Sequence, residues 1–160
     1  MSGHDLDVRE GTPADLPLIA ELLGASGLSA ASVRLDAGRY WLAWDQGMSL
    51  VGVVGLEVQG TAALLRSLAV DPRFRGRGHG VSLVRHAMKM AGESGCTDVY
   101  AYSTGATEFF VRCGFVPASV AEAAGRLSSA PQVMHYRSTG ALNQEKAWRT
   151  TVRSAGREGQ

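Results

Sequence analysis

Three glycines alternate with basic residues in the segment RFRGRGHG, at residues 73–80. Glycine has no side chain, so backbone N–H groups at these positions can closely approach a bound group. Guanidinium groups in turn favour phosphate and carboxylate partners. The glycines are Gly76, Gly78 and Gly80, and the basic residues among them are Arg73, Arg75, Arg77 and His79. This spacing predicts a binding site for a phosphate-bearing ligand.

The surrounding residues place these glycines between a strand and a helix. The apolar run at residues 62–70 predicts a strand. After the turn, five apolar residues fall on one face of a predicted helix: Val81, Val84, Ala87, Met88 and Ala91. N–H groups from about Arg77 to Val81 would then point into the turn, at the positive end of the helix. We call residues 75–81 the glycine turn; a solvated surface turn is the alternative.

Spacing distinguishes three phosphate-binding motifs. A P-loop requires GxxxxGK[ST], and the chain contains no GK[ST]. A dinucleotide-binding fingerprint requires GxGxxG, but Val81 stands where the third glycine should be, and a predicted antiparallel meander precedes the turn. The third pattern, RxxGxG, is met by Arg75, Gly78 and Gly80.

Composition limits what the ligand can belong to. A chain of 160 residues, 45% hydrophobic, is long enough for one domain. Its formal net charge of +1 provides no global basic field, which disfavours a nucleic-acid partner. Cys96 and Cys113 form no CxxC motif, which favours a reduced, cytoplasmic protein. Neither a membrane partner nor a metal is predicted, because no apolar run approaches a membrane span and the histidines lack ligand spacing.

Periodicity predicts an α/β chain. The predicted strands are residues 6–9, 40–45, 49–58, 62–70, 98–103, 115–117 and 132–138. The predicted helices are residues 12–23, 30–37, 81–91, 106–113 and 121–127. Short turns favour an antiparallel meander over residues 40–70, and the helical crossover after it favours a parallel strand at 98–103.

The C-terminal segment is predicted to lie outside the main domain. Residues 1–137 are expected to form a single domain, and residues 138–160 a tail that is partly disordered or carries a short helix. Trp148 in that tail could support a homodimer.

The segments LAVDPRFRGRGHGVSLV and EFFVRCGF resemble the GNAT superfamily of acetyl-CoA-dependent N-acetyltransferases. The first is similar to the family's cofactor-binding motif, and the second to its next helix and strand. The resemblance implies a GNAT-like fold, with a central mixed, mostly antiparallel splayed sheet flanked by helices. GLEVQGTAALLRSLAV and ATEFFVRCGF are also similar to GNAT proteins associated with arsenic resistance, some relatives of which acetylate glutamate analogues.

The resemblance implies acetyl-CoA as cofactor and indicates where it would lie. The glycine turn would hold the diphosphate, and the pantetheine arm would pair with the backbone of Leu68, Ala69 and Val70, between two diverging strands. The implied cofactor-binding residues are Leu68, Ala69, Val70, Arg75, Gly76, Arg77, Gly78, His79, Gly80, Val81, Thr104 and Phe110. For His79 a tolerated loop position is the alternative.

Acetyl transfer needs an oxyanion donor and a base. A backbone N–H near Leu68 is the expected oxyanion donor. Glu57 is the candidate base, unless it is an outward-facing edge residue. Strand alternation places Ser67 towards the substrate and Arg66 away from it, unless a bulge intervenes. Arg66 or Arg112 could hold an anionic group of the substrate.

The transfer also needs an acid, and here the chain departs from the family. Phe110 occupies the position where the family often has a tyrosine, and a phenyl ring cannot donate a proton. Ser103, Thr104 or water could protonate the leaving thiolate, or the thiolate could leave unassisted.

The predicted function is therefore an N-acetyltransferase that acts on a primary amine of a small molecule, such as an amino acid or glutamate-like analogue. The amine would attack directly in a ternary complex. A CoA-binding sensor with little turnover is the alternative, and an RNA-associated adaptor is a more distant one.

Overall fold

The computed structural model describes residues 6–154, and its strands form one sheet in the order β1-β2-β3-β4-β5-β7-β6. The strands are β1 (Asp7–Glu10), β2 (Arg39–Trp44), β3 (Leu50–Gln59), β4 (Ala62–Val70), β5 (Asp98–Tyr102), β6 (Val116–Ala118) and β7 (Ala147–Thr151). Among these described strands, only β4 and β5 pair in parallel, and every other neighbouring pair is antiparallel. The prediction of a mixed, mostly antiparallel sheet is confirmed.

Helices cover both faces of this sheet. They are α1 (Leu16–Ala25), α2 (His79–Glu93), α3 (Thr107–Arg112), α4 (Val120–Arg126) and α5 (Pro131–Thr139). Alternate residues of β4 enter different cores, because successive strand side chains point to opposite faces. Leu65 packs with α2, whereas Leu64 packs with α4 and α5. The face opposite α2 is covered by α1 at the β2 and β3 end and by α4 and α5 at the β4 and β5 end.

Two predicted elements differ in the structure. Residues 30–37 form turns rather than a helix. Residues 132–138 lie in helix α5 rather than in a strand, so that prediction is wrong. Pro131 occupies the first helical turn, where its fixed φ suits a helix, and Gly140 ends the helix with a φ of 81°. A seven-residue segment is too short for apolar periodicity alone to distinguish the two structures.

Strand β7 lies in the interior of the sheet, although its sequence was predicted to belong to a loosely attached tail. It pairs with β5 from Asp98↔Thr151 to Tyr102↔Ala147, and with β6 on its other edge. The tail prediction is wrong for these residues. Both partners come from distant parts of the sequence, so no local pattern could indicate that β7 completes the sheet.

Trp148 of β7 is buried in the core of its own chain. It is 5% exposed, its ring stacks on Phe110 at a centroid distance of 5.7 Å, and its Nε1 donates to the Ser103 carbonyl over 3.2 Å. This burial removes it from the exposed surface on which a role in dimerisation would depend.

Replacing Trp148 by alanine is expected to lower the free energy of unfolding by about 3–5 kcal/mol, because a large buried side chain leaves a cavity. Urea denaturation followed by circular dichroism measures this change. Thr151→Ala, at the exposed end of the same strand, is the matched control and should have little effect. Equal stability of the Trp148→Ala variant and the parent chain would contradict the position of β7.

Candidate active site

The parallel strands β4 and β5 separate along their length. Their pairing ends at Leu65↔Ala101, although β4 continues to Val70. Beyond that point the edge of β4 facing β5 has no strand partner within residues 6–154. Unpaired backbone groups at such an edge can pair with an extended ligand.

A cleft of about 660 Å³ opens at this gap. It extends from the glycine turn, along the free edge of β4, to α5. The predicted site residues that line it are Arg66, Ser67, Leu68, Ala69, Val70, Arg75, Gly76, Gly78, His79, Gly80, Val81, Ser103, Phe110 and Arg112. Glu57, Arg77 and Thr104 are not among its lining residues.

A bulge interrupts β4 in the middle of this edge. Val53 pairs with Ala69 and Gly55 with Arg66, so Ser67 and Leu68 together stand opposite a single residue of β3. Ser67 has a φ of 58°, a left-handed conformation that is uncommon outside glycine. Arg66 precedes the bulge and keeps the alternation of β4, on the face of Leu64. Both Arg66 and Ser67 line the cleft.

The glycine turn forms the other end of the cleft. Gly76 and Gly78 have φ values of 79° and 83°, and Gly78 immediately precedes α2. The N–H groups in the first turn of a helix have no acceptor within it, so those of Gly80 and Val81 remain available to a ligand. A Cβ added at Gly76 or Gly78 would meet no atom within 4 Å, so both residues border open space.

The two arginines of the glycine turn have different environments. Arg75 lines the cleft, and its Nε donates to the Val70 carbonyl over 3.0 Å, while its Nη2 lies 3.3 Å from Ser26 Oγ. Arg77 stacks over the Phe74 ring at 5.5 Å and lies outside the cleft lining. Arg75 thus links the turn to the end of β4 and brings a positive charge to the cleft.

A buried ion pair joins β3 and β4 on the face covered by α5. Arg66 Nη1 lies 2.8 Å from Glu57 Oε2, and both side chains are 1% exposed. Arg66 also donates from Nη1 to the Ser32 carbonyl over 3.1 Å and from Nε to Ser67 Oγ over 2.9 Å. Its Nη2 makes no hydrogen bond within the part of the chain that the structure describes. Nη2 is therefore the amino group of Arg66 that has no hydrogen-bond partner among these residues, on a side chain that is almost fully buried.

The Glu57 carboxylate is engaged through both oxygens. Its Oε1 accepts from the Gln132 backbone N–H over 3.1 Å, while Oε2 accepts from Arg66. Burial raises the pKa of Glu57, whereas Arg66 and the Gln132 N–H oppose that rise. A base must reach the proton that it removes. The geometry thus favours a role in holding Arg66 over the predicted role as base.

Helix α5 supplies cleft residues that the sequence analysis did not assign to the site. Tyr136 and Gln132 line the cleft from α5, and Tyr102 lines it from the end of β5. Because residues 132–138 are predicted to form a strand, the sequence analysis did not place Tyr136 and Gln132 in the cleft. On β5, Tyr102 follows the buried Ala101 and points to the other face of the sheet. This alternation was the sequence feature that could have placed Tyr102 in the cleft.

Neither a metal-binding group of side chains nor a membrane-spanning helix is found within the described residues. No group of three or more His, Cys, Asp and Glu side chains there could hold a metal ion. None of the helices within residues 6–154 combines the length and the apolarity that a membrane crossing requires.

Comparison with known proteins gives one family and many solved structures. The sequence model described as the acetyltransferase (GNAT) family matches residues 11–115. No curated protein sequence matches the chain.

The similar solved structures share the fold at low sequence identity. N-acetylglutamate synthase from Neisseria gonorrhoeae, complexed with coenzyme A and N-acetyl-glutamate, aligns with a TM-score of 0.74 and 24% identity. That alignment covers 94% of this chain but only 36% of the synthase chain. Rv2747 from Mycobacterium tuberculosis, in complex with CoA, aligns at 0.73 and 20% identity over 91% of this chain and 99% of that one. Spermidine/spermine N-acetyltransferase SpeG from Vibrio cholerae aligns at 0.63 and 14% identity over 93% and 94%.

Proposed function

Because the chain belongs to the acetyltransferase (GNAT) family, whose enzymes are acetyl-CoA-dependent N-acetyltransferases, we propose that it acetylates the primary amine of a small molecule that also carries a carboxylate. Both substrates would be bound together, and the amine would attack directly. The observation that carries this proposal is a cleft that extends from the glycine turn to Arg66, whose Nη2 has no hydrogen-bond partner within residues 6–154.

The glycine turn fits the diphosphate of acetyl-CoA. Gly76 and Gly78 border open space, and the N–H groups of Gly80 and Val81 lie at the start of a 15-residue helix. Hydrogen bonds from these groups, the helix dipole and the charge of Arg75 all favour an anion. When bound, acetyl-CoA supplies a reactive thioester.

The free edge of β4 would orient the rest of this group. Within residues 6–154, its backbone from Arg66 to Val70 lacks a strand partner on the β5 side, so an amide-containing arm can pair with it, except at the Val70 carbonyl, which accepts from Arg75. The bulge at Ser67 turns the following peptide out of the regular ladder. A Leu68 N–H directed into the cleft would stabilise negative charge that develops on an acyl oxygen.

Arg66 would hold the carboxylate of the acceptor. Charge-assisted hydrogen bonds from a guanidinium to a carboxylate are stronger than neutral ones, especially where water is excluded. Glu57 keeps the buried guanidinium in place, and Ser67 holds its Nε. With Glu57 in this supporting role, water would remove the first proton of the acceptor ammonium.

The narrower prediction of a glutamate-like acceptor remains part of this proposal. The N. gonorrhoeae synthase structure contains N-acetyl-glutamate, an acetylated amino acid with carboxylates. The cleft-lining arginines Arg66 and Arg112 are suitable partners for an anionic acceptor. Assignment to the arsenic-resistance-associated subgroup also stays a prediction.

Thiol release from acetyl-CoA, measured against a panel of amines, tests the proposal. Amino acids, and glutamate-like ones above all, are expected to stimulate release, whereas spermidine should not, because the cation would face Arg66. Release with polyamines alone would contradict the carboxylate preference. Tight CoA binding without release from any amine would favour the sensor alternative, and calorimetry with CoA distinguishes that case from a loss of binding.

A further inference from the structure

The proposed reaction needs a proton donor for the leaving sulfur, and the expected position cannot supply one. Phe110 lines the cleft with a phenyl ring that is 6% exposed and stacked on Trp148. No rearrangement of that ring provides an acidic hydrogen. Two phenols, however, line the same cleft from the opposite wall: Tyr102 of β5 and Tyr136 of α5.

The two hydroxyl groups have different environments. The Tyr102 hydroxyl lies 3.5 Å from the Val120 carbonyl oxygen, towards α4. The Tyr136 hydroxyl has no hydrogen-bond partner within residues 6–154. The two rings meet edge to face at a centroid distance of 5.9 Å, so Tyr102 supports the ring of Tyr136. Of the two phenols, only Tyr136 has a hydroxyl without a partner among the residues that the structure describes.

Several charged groups act on the Tyr136 phenol. Burial raises its pKa, Glu145 and Glu57 raise it further, and Arg66 opposes them. On its own helix, the His135 ring lies 6.3 Å from the Tyr136 ring. The phenol is therefore protonated at neutral pH, and the raised pKa makes it a weaker acid than a free tyrosine, so its role as a donor depends on its position in the cleft.

We propose that Tyr136 is the proton donor to the sulfur of coenzyme A, in the role that Phe110 cannot perform. This inference rests on the proposed function. The N–C bond to the acceptor amine forms as the C–S bond of the thioester breaks. The sulfur takes the hydroxyl proton of Tyr136, and the resulting phenolate takes the proton that the acylated nitrogen loses. Tyr136 is thereby restored in each turnover.

The thiol of bound CoA provides a test that needs no turnover. A hydroxyl that donates to the sulfur stabilises the thiolate, so Tyr136→Phe should raise the pKa of the bound thiol by about one unit. Thiolate absorbance across a pH series measures this value, after subtraction of the protein titrated without CoA. Tyr102→Phe, which removes the neighbouring hydroxyl, is the matched control and should leave the value unchanged. An unchanged thiol pKa in Tyr136→Phe would overturn the proposal.

Turnover provides the second readout. Tyr136→Phe is expected to lower kcat by about 100-fold without weakening CoA binding. Loss of a general acid lowers the rate by about 100-fold or more. Tyr102→Phe keeps the ring that contacts Tyr136 and should lose less activity than Tyr136→Phe does. An unchanged kcat in Tyr136→Phe, or equal losses in the two variants, would overturn the proposal. If the parent chain acetylates no amine, the proposed function fails, while the thiol measurement still decides whether Tyr136 contacts the sulfur.

Discussion

Replacing Arg66 by methionine is expected to lower kcat/KM for a carboxylate-bearing amine by about 100-fold. The variant loses charge-assisted hydrogen bonds to the acceptor, which are worth about 1.5–3 kcal/mol. It also leaves Glu57 buried without its cation, and such a broken pair costs about 3–5 kcal/mol of unfolding free energy. Steady-state kinetics and urea denaturation measure the two effects separately.

A double variant separates binding from stability. Glu57→Gln together with Arg66→Met removes both charges and keeps an oxygen for the Gln132 N–H. It should recover most of the lost stability, because no buried charge remains. Its kcat/KM for the carboxylate-bearing amine should stay low. Its kcat/KM for an amine without a carboxylate should approach the parent value. Full recovery with the anionic acceptor would rule out Arg66 as its carboxylate partner.

Replacing Gly78 by valine is expected to raise the dissociation constant for acetyl-CoA by about 100-fold. Gly78 has a φ of 83°, a region from which a β-branched residue is almost excluded. The turn would relax to another backbone conformation, and the N–H groups at the start of α2 would no longer converge on one anion. Loss of about two such hydrogen bonds accounts for a change of this size. Isothermal titration calorimetry with acetyl-CoA measures it.

Gly60→Val is the matched control for this prediction. Gly60 has a φ of 61° in the turn between β3 and β4, and a Cβ there would also meet no atom within 4 Å. The same type of strain is thereby introduced outside the glycine turn and outside the cleft lining. This variant should lose stability but retain the acetyl-CoA affinity. If Gly78→Val binds acetyl-CoA as tightly as Gly60→Val does, the glycine turn does not hold the diphosphate.

Much of the sheet and the glycine turn could be predicted because neighbouring residues encode them. Residues 62–70 were predicted as a strand and form β4 with the same bounds. Glycines between a strand and a helix permit a turn with positive φ, which depends only on neighbouring residues. Gly76 and Gly78 adopt this conformation. The assignment of α5 failed for the complementary reason, since its short segment contains no decisive periodicity.

The acceptor side of the cleft depends on contacts between distant segments. Glu57 and Arg66 come from adjacent strands, and Arg66 keeps the alternation of β4 on the face that α5 covers. It lines the cleft because the cleft extends to α5. Tyr136 reaches the same cleft only because α5 packs over that face of the sheet. Side-chain orientation beyond a bulge or a long connection follows from packing, which the local pattern does not contain.

By itself, the sequence determined the family, the glycine turn and, apart from the helix predicted at residues 30–37, the order of the elements up to β5, because each depends on residues close together in the chain. Tertiary structure alone decided that β7 completes the sheet, that Glu57 is bound to Arg66, and that Tyr136 faces the gap between β4 and β5. The physical reason is that strand pairing and buried ion pairs join residues that are not neighbours in the chain. The local sequence pattern therefore does not indicate that they are in contact.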